Sequence, residues 1–309
     1  MRILVTGGAG FIGSHVVDLF IAEGHTVTVI DDLSSGRREN INAKARFYEG
    51  SILSPDLERI LRHEKIEVVD HLAAQISVPE SVKSPGKDAE PNILGTINLL
   101  ETSLKAGIQR FLFSSTGGAI YGDTPFYPYG EEALPDPQSP YAIAKMAAEH
   151  YIRYLCSCYS VPYVILRYAN VYGPRQIPQG EAGVVSIFHE RMVNTQPISL
   201  FTFPGEAEGM VRDYVYVKDV ARANVLALQK GDNQTLNIST NRETKTGEIF
   251  RRLKALTGYR EEPNLEPPRP GDIPRSCLKN GRAQEVLGWK PEYELERGLK
   301  EFFDSFSNG

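Results

Sequence analysis

Three side chains near the middle of the chain have the types and spacing for moving a proton to and from a hydroxyl group: Thr116, Tyr141 and Lys145. Lys145 follows Tyr141 by four residues, so in a helix the two share a face. A phenol ordinarily titrates near pH ~10, too high for a base at neutral pH. An adjacent ammonium favours the phenolate, so the pair reads as a base and the group that tunes it. Tyr-x-x-x-Lys alone also fits the polar surface of an amphipathic helix. The triplet Ser114-Ser115-Thr116 weighs against that, because it ends an apolar run, and open parallel sheets take their ligands at strand ends. Ser139 and Pro140 supply an N-cap and a first-turn proline, which start the helix that carries the pair.

A second group of residues could cradle a dinucleotide. Gly8-x-Gly10-x-x-Gly13 lies between the strand-like run Ile3-Leu4-Val5 and a helical pattern over 11–22, and fits the dinucleotide fingerprint. Glycine permits the tight turn, the approach of backbone to a pyrophosphate, and close packing of helix on strand. The pyrophosphate would sit on the unpaired N–H groups that open the helix. Asp31 ends a second apolar run, Thr26–Ile30. A carboxylate there accepts hydrogen bonds from the adenosine ribose and repels a 2′-phosphate, which favours NAD over NADP. Arg37 and Arg38 lie close enough to soften that repulsion. A glycine-rich turn in an unrelated α/β protein is the blander alternative; strand, helix and acid in place together argue against it.

The elements that must position these groups alternate. Strand patterns fall at Ile3–Thr6, Thr26–Ile30, Ala45–Tyr48, Val68–Ala73, Arg110–Ser114 and Tyr163–Arg167, and helical patterns at 11–22, 54–64, 91–106 and 140–159. This predicts an α/β fold with a Rossmann-type doubly wound parallel sheet, as an NAD-binding domain over 1–173. From 174 to 309 the loops lengthen and Pro and Gly increase. Helical patterns at 183–194, 218–229, 246–257, 280–287 and 295–305 predict a smaller mixed α/β lobe for substrate. That lobe is discontinuous if Leu236–Ser239 returns as a strand to the first sheet. Trp289 reads as core, and His71, at a strand end, as structural.

Composition excludes several classes. A net charge of −5 argues against a nucleic-acid surface. No run reaches the roughly 18 apolar residues that span a bilayer, and the first strand begins at the N-terminus, so neither a membrane span nor a signal peptide is expected. Three cysteines build no disulfide framework, Cys156 and Cys158 would face opposite sides of a helix, and no His/Cys spacing suits a metal. The expected compartment is the cytoplasm.

Over nearly its whole length the chain resembles the extended short-chain dehydrogenase/reductases, in their NAD-dependent epimerase/dehydratase branch, and within it the UDP-galactose 4-epimerases. The resemblance rests on Thr6–Ser14, Asp31-Asp32-Leu33-Ser34, His71-Leu72-Ala73-Ala74-Gln75, Asn92-Ile93-Leu94-Gly95-Thr96, Tyr141-Ala142-Ile143-Ala144-Lys145, Arg167–Pro174, Arg212-Asp213-Tyr214-Val215 and Leu287-Gly288-Trp289-Lys290-Pro291. It implies NAD-dependent interconversion of UDP-glucose and UDP-galactose through transient oxidation at sugar C4. Thr116 would bond the 4-hydroxyl, Tyr141 would take its proton, and Lys145 would hold the nicotinamide ribose. Gly7, Gly10, Phe11, Ile12 and Gly13 would form the pyrophosphate loop. Asp31 and Asp32 would meet the adenosine ribose, and Ser51 and Ile52 the adenine. Leu72, Ala73 and Ala74 would line the cofactor, with Asn92, Ser114 and Tyr168 as further contacts. Val78 and Asn170 would touch the sugar nucleotide, Arg212 and Arg269 its diphosphate. Ser276, seven residues after Arg269 (276 − 269), would border the C2 substituent and leave room for an N-acetyl group.

Each of these has a plainer alternative. Arg212 could pair with Asp213, Arg269 could be a solvated loop charge, Asn170 could cap backbone, and Ser276 could lie in a solvated turn. Ser51 stands where many members have Asp, Ile76 where some have Lys, and Gly117-Gly118 adds one residue to the loop after Thr116. That loop lacks the acids that dehydratases and decarboxylases of the superfamily use beside the threonine. A UDP-glucuronate 4-epimerase stays open, and a non-catalytic NAD sensor would have no need of Thr116, Tyr141 and Lys145 together. The resemblance further implies a homodimer pairing the helices around 91–106 and 140–159, where Ile93, Leu99, Leu104, Tyr151, Tyr154 and Leu155 place apolar surface on more than one face.

Overall fold

Alternation of apolar side chains explains the central layer. In the computed structural model, which describes residues 1–123, 127–178, 183–269 and 272–307, Ile3 and Val5 pack into one core cluster and Leu4 into another, on opposite faces of the same strand. Phe111 and Phe113 face one side and Leu112 the other; Val164 and Leu166 face one side and Ile165 the other. Strands apolar on both faces require cover on both faces.

The first half runs β1 (Arg2–Thr6), α1 (Phe11–Ala22), β2 (Thr26–Asp31), β3 (Arg46–Glu49), α2 (Leu57–His63), β4 (Val68–His71), α3 (Val78–Lys83), α4 (Pro85–Ala89), α5 (Thr96–Ala106), β5 (Arg110–Thr116), α6 (Gly117–Ile120), α7 (Pro140–Cys158) and β6 (Tyr163–Tyr168). The second runs β7 (Asn170–Tyr172), α8 (Val184–Val193), β8 (Ser199–Phe201), β9 (Val211–Arg212), β10 (Tyr214–Tyr216), α9 (Val217–Ala227), β11 (Gln234–Ile238), β12 (Thr244–Lys245), α10 (Thr246–Thr257), β13 (Asn264–Glu266), β14 (Arg275–Ser276), α11 (Gly281–Leu287) and α12 (Leu295–Ser307). The seven-stranded sheet is parallel throughout, in the order β11-β6-β5-β4-β1-β2-β3. The strand order reverses between β1 and β4, the position where doubly wound sheets take dinucleotides. The strand expected near 236–239 is β11, and it does join the first sheet, beside β6. Helix α9 returns with it and packs on α1.

Three boundaries differ from expectation for physical reasons. β4 stops at His71, not Ala73: its pairing with β5 ends at His71 and Phe113, while beyond it Leu72 N–H bonds Thr6 O and Ala73 N–H bonds Thr6 Oγ1, so the chain there is held by β1 alone. Helix α2 begins at Leu57 rather than 54. The helical pattern at 91–106 starts as a π-helix, Glu90–Gly95, before α5. Pro91 inside it has no N–H to donate, and the widened turn carries Asn92 inward, to 2% exposure. Leu99 and Leu104 lie in the core, so the outer apolar face here consists of Leu94, Ile143, Tyr151 and Tyr154. Cys156 is buried and Cys158 exposed, as their spacing in α7 requires.

A separate core cluster, in which Phe188, Ile249, Phe250, Leu253, Leu299 and Phe302 meet, closes α8, α10 and α12 together. Trp289 is fully buried with the first-layer cluster and donates its Nε1–H to Asp219 O at 2.8 Å.

Candidate active site

The turn after β1 is built for close backbone approach. Gly7 has φ +71°, and a Cβ there would stand 2.7 Å from Ala73 N. A Cβ on Gly13 would stand 2.1 Å from Gly7 O, so α1 reaches β1 only through a bare Cα. Helix α1 opens at Gly10 with no side-chain cap and no acid in its first turn, leaving its N–H groups and partial positive charge to an anion. Phe11 and Ile12 are the first residues of that turn. The Asp31 carboxylate, 7% exposed, accepts from Ala9 N at 2.9 Å and Leu33 N at 2.9 Å, which ties the loop to the end of β2. Burial raises its pKa and the two amide bonds oppose the rise. Asp32 takes Ser34 N–H at 3.0 Å and Ser34 O–H at 2.6 Å. Arg37 pairs with Glu39 and Arg38 with Glu49, so neither is an uncommitted cation for a 2′-phosphate. These residues fit a non-phosphorylated dinucleotide. Ser51 Oγ caps the turn at Leu53 N, and the Ile52 side chain lies in the core against Gly95.

A buried chain of hydrogen bonds joins this turn to the segment beside Tyr141. The Thr96 hydroxyl donates to Asn92 O at 2.9 Å, so it accepts from His71 Nε2–H at 3.0 Å. Nδ1 must then accept from the Thr6 hydroxyl at 2.8 Å, whose oxygen takes Ala73 N–H at 3.2 Å. The partners thus set the tautomer, and burial holds His71 neutral, with a pKa of about 3. Asn92 is spent the same way: its amide donates to Gln75 O at 2.9 Å and Asp88 Oδ1 at 3.0 Å and accepts from Gln75 N at 3.0 Å. Ser114 Oγ lies 2.9 Å from the Tyr168 hydroxyl, which also bonds Asn224 of α9. The Asn92 and Tyr168 side chains are therefore held within the chain. Leu72, Ala73 and Ala74 follow the end of β4 and are half-buried.

Tyr141 and Lys145 sit in the first two turns of α7, which Ser139 caps by accepting from Ala142 N–H at 3.3 Å. Tyr141 N–H bonds Ser81 Oγ at 3.2 Å, and Ser81 donates to the carbonyl of Val78, the first residue of α3. Thr116 ends β5 and lies close enough to the Tyr141 phenol to favour its ionised form. The expected lowering of the Tyr141 pKa is not what the protein itself produces. Burial pushes it up to about 12, the Asp88 carboxylate adds to the rise, and Thr116 opposes it. Lys145 Nζ lies instead 4.3 Å from the centre of the Phe113 ring. Burial takes Lys145 down to about 8, against the pull of Glu149 and Asp88.

Asn170, Arg212 and Arg269 line one cavity of about 380 Å³, with Phe201, Tyr214 and Thr246 among its walls. Arg212 does not pair with Asp213. Asp213 is buried and accepts from Thr240, Asn241 and Leu278, while Arg212 Nη1 and Nη2 donate to Val211 O at 2.9 Å and Met210 Sδ at 3.0 Å. Arg269 is gripped by Asp272 through Nε at 3.0 Å and Nη2 at 3.1 Å, and lies over Phe201. Ser276 is 2% exposed, not in a solvated turn; it pairs with Arg212 across β14 and β9, and its hydroxyl reaches Gly118 O at 3.5 Å. The cavity thus connects through Asn170 and Gly118 to Thr116.

The model of the NAD dependent epimerase/dehydratase family matches residues 3–239. The chain belongs to that family. It is 44% identical to the UDP-glucose 4-epimerase of Mycolicibacterium smegmatis over 100% of this chain and 99% of that one. The crystal structure of Thermotoga maritima UDP-glucose 4-epimerase with UDP-glucose is similar at a TM-score of 0.96 and 52% identity, covering 100% of this chain and 99% of that one. The Thermus thermophilus UDP-glucose 4-epimerase complexed with NAD has a TM-score of 0.94 and 43% identity, with all of both chains covered.

Sequence reasoning passed over two groups that the fold brings to the site. Asp88 faces the Tyr–Lys pair electrostatically from α4, and Asp272 clamps Arg269. The spacing of Asp272, three residues after Arg269, was a legible signal; nothing local marks Asp88.

Proposed function

We propose that the protein is an NAD-dependent UDP-glucose 4-epimerase, which interconverts UDP-glucose and UDP-galactose with no net oxidation. The observation that carries this reading is the placing of Tyr141 and the buried Lys145, at the start of α7, beside Thr116 at the end of β5, next to a cavity that presents two arginines. When bound, oxidised NAD supplies the hydride acceptor and a positive charge. The glycine turn and α1 hold its pyrophosphate and Asp31 its ribose. Tyr141 takes the proton of the sugar 4-hydroxyl, Thr116 orients that hydroxyl, and Lys145 is the cation of the pair. Since burial and the Asp88 carboxylate hold Tyr141 near 12, its phenolate forms only with positive charge nearby. Arg212 and Arg269 clamp the diphosphate through fixed, permanently charged forks.

On this reading residues 1–173 bind NAD and 174–309 the sugar nucleotide, with α9 and β11 returned to the first layer. Ser276, small and buried beside Gly118, leaves room for a C2 N-acetyl group, so UDP-N-acetylhexosamines are further substrates. The outer face formed by Leu94, Ile143, Tyr151 and Tyr154 pairs two copies into a homodimer; light scattering at micromolar concentration reads it, and a monomeric mass contradicts it. Among the described residues the cysteines are free and no helix is long and apolar enough to cross a membrane, in keeping with a reducing, cytoplasmic setting. The deciding experiment incubates the protein with UDP-glucose and identifies the product. UDP-galactose at equilibrium with substrate supports the reading; oxidation, dehydration or no turnover overturns it.

A further inference from the structure

The loop after β5 carries two adjacent glycines, and packing explains one of them. A Cβ on Gly117 would lie 2.3 Å from Leu278 Cδ1, and Leu278 is fully buried. Position 117 is bare to admit the core. A Cβ on Gly118 meets no such wall. Its nearest neighbours would be Asn170 Oδ1 at 3.4 Å and Thr116 Oγ1 at 4.0 Å, ordinary contact distances. Nor does the backbone call for glycine, because Gly118 is not among the glycines with positive φ. It sits inside α6, where alanine is the better helix former. Glycine at 118 therefore goes unexplained by fold, and the groups facing it belong to the site: the Thr116 hydroxyl beside Tyr141, and the Asn170 amide that lines the diphosphate cavity.

Epimerisation places a demand on space that simple oxidation does not. In the first step the C4 hydrogen leaves as hydride to NAD while the 4-hydroxyl proton passes to Tyr141, giving a 4-ketone and NADH. In the second, hydride and proton return. The product differs from the substrate only if hydride returns to the other face of C4, so the ring must turn between steps while its diphosphate stays clamped. A ring that cannot turn takes hydride back on the face it left and regenerates the substrate. We infer that Gly118 is the position that gives the 4-keto ring room to turn, its bare Cα opening the space between Thr116 Oγ1 and Asn170 Oδ1. This rests on the epimerase reading above.

Gly118→Ala in the full-length, NAD-loaded enzyme tests it. A methyl at contact distance from its neighbours leaves folding intact, so the thermal midpoint should stay at or above that of the parent. Formation of UDP-galactose from UDP-glucose should fall about tenfold or more, in kcat rather than KM. Reduction of the bound cofactor on mixing with UDP-glucose, read by NADH absorbance, should stay within about twofold of the parent, because hydride transfer precedes turning. Gly117→Ala is the contrast, expected to lower the thermal midpoint through Leu278. Unchanged epimer formation in Gly118→Ala overturns the inference, as does equal loss of cofactor reduction and epimer formation, or a lowered midpoint. A parent enzyme that makes no UDP-galactose overturns the epimerase reading itself, whereas an active parent with an indifferent variant overturns only the role of Gly118.

Discussion

The cofactor-side strand ends and the substrate-side cavity treat buried polar groups in opposite ways. Around β1 and β4, Thr6, His71, Thr96, Asn92 and Asp31 each spend their hydrogen bonds on partners in the chain. In the cavity wall Tyr214 Oη and Thr246 Oγ1 are buried without a partner, as is Gln176 Oε1 beside them. An unsatisfied buried group costs about 1–3 kcal/mol, so a fold retains several in one place where a ligand can satisfy them. The contrast suits a reaction that holds one molecule throughout and exchanges another. The exceptions among the described residues of the first layer are both oxygens of Asp70, Oδ2 of Asp88 and the Ser103 hydroxyl, all buried and unpartnered.

The strongest way to break this contrast is at the junction of the two regions. Tyr141→Phe removes one hydroxyl and should lower turnover about 1,000-fold or more while leaving NAD content and thermal midpoint unchanged. Near-normal turnover would remove Tyr141 from the chemistry. On the substrate side, Arg269→Ala should raise KM for UDP-glucose about 10- to 100-fold, the worth of a charge-assisted contact, with NAD retention unaffected. Loss of NAD instead would mean that the two regions are not separable.

Asp70 tests the exception. Burial raises its pKa to about 8, from an ordinary carboxylate value near ~4. Between those values the folded protein keeps a proton that the unfolded chain releases, so this group's contribution to stability is lost as pH rises through that window and is constant above it. Asn does not titrate. The stability of Asp70→Asn relative to the parent should therefore improve from pH 5 to pH 8, by up to about 4 kcal/mol in urea unfolding. A pH-independent difference would place the proton elsewhere. The smallest expected effect sharpens the cavity: Ser276→Tyr should lower activity on UDP-N-acetylglucosamine about tenfold and spare UDP-galactose. Equal loss on both, or none, would detach Ser276 from the C2 substituent.

What could be read along the chain was what local geometry controls. The glycine turn, the acid ending β2, the strand before Thr116 and the shared face of Tyr141 and Lys145 each depend on residues within a few positions. The extra strand β11 was visible in the alternation Leu236-Asn237-Ile238-Ser239, a period of two that strand geometry imposes wherever the segment falls in the chain.

Partners distant in sequence were not legible. The chain that sets the His71 tautomer joins residues 6, 71, 73, 92 and 96, and no spacing rule predicts such a set. Arg212 passes over its sequence neighbour Asp213, because Asp213 is claimed from 27 or more residues away. Even the direction of the Tyr141 shift was decided in three dimensions. That Lys145 shares a helical face with the phenol followed from spacing alone, since helical geometry is a local property. That Lys145 lies over Phe113, and that burial and Asp88 raise the Tyr141 pKa, came from packing, because desolvation is set by everything packed around a group and not by its neighbours in the chain.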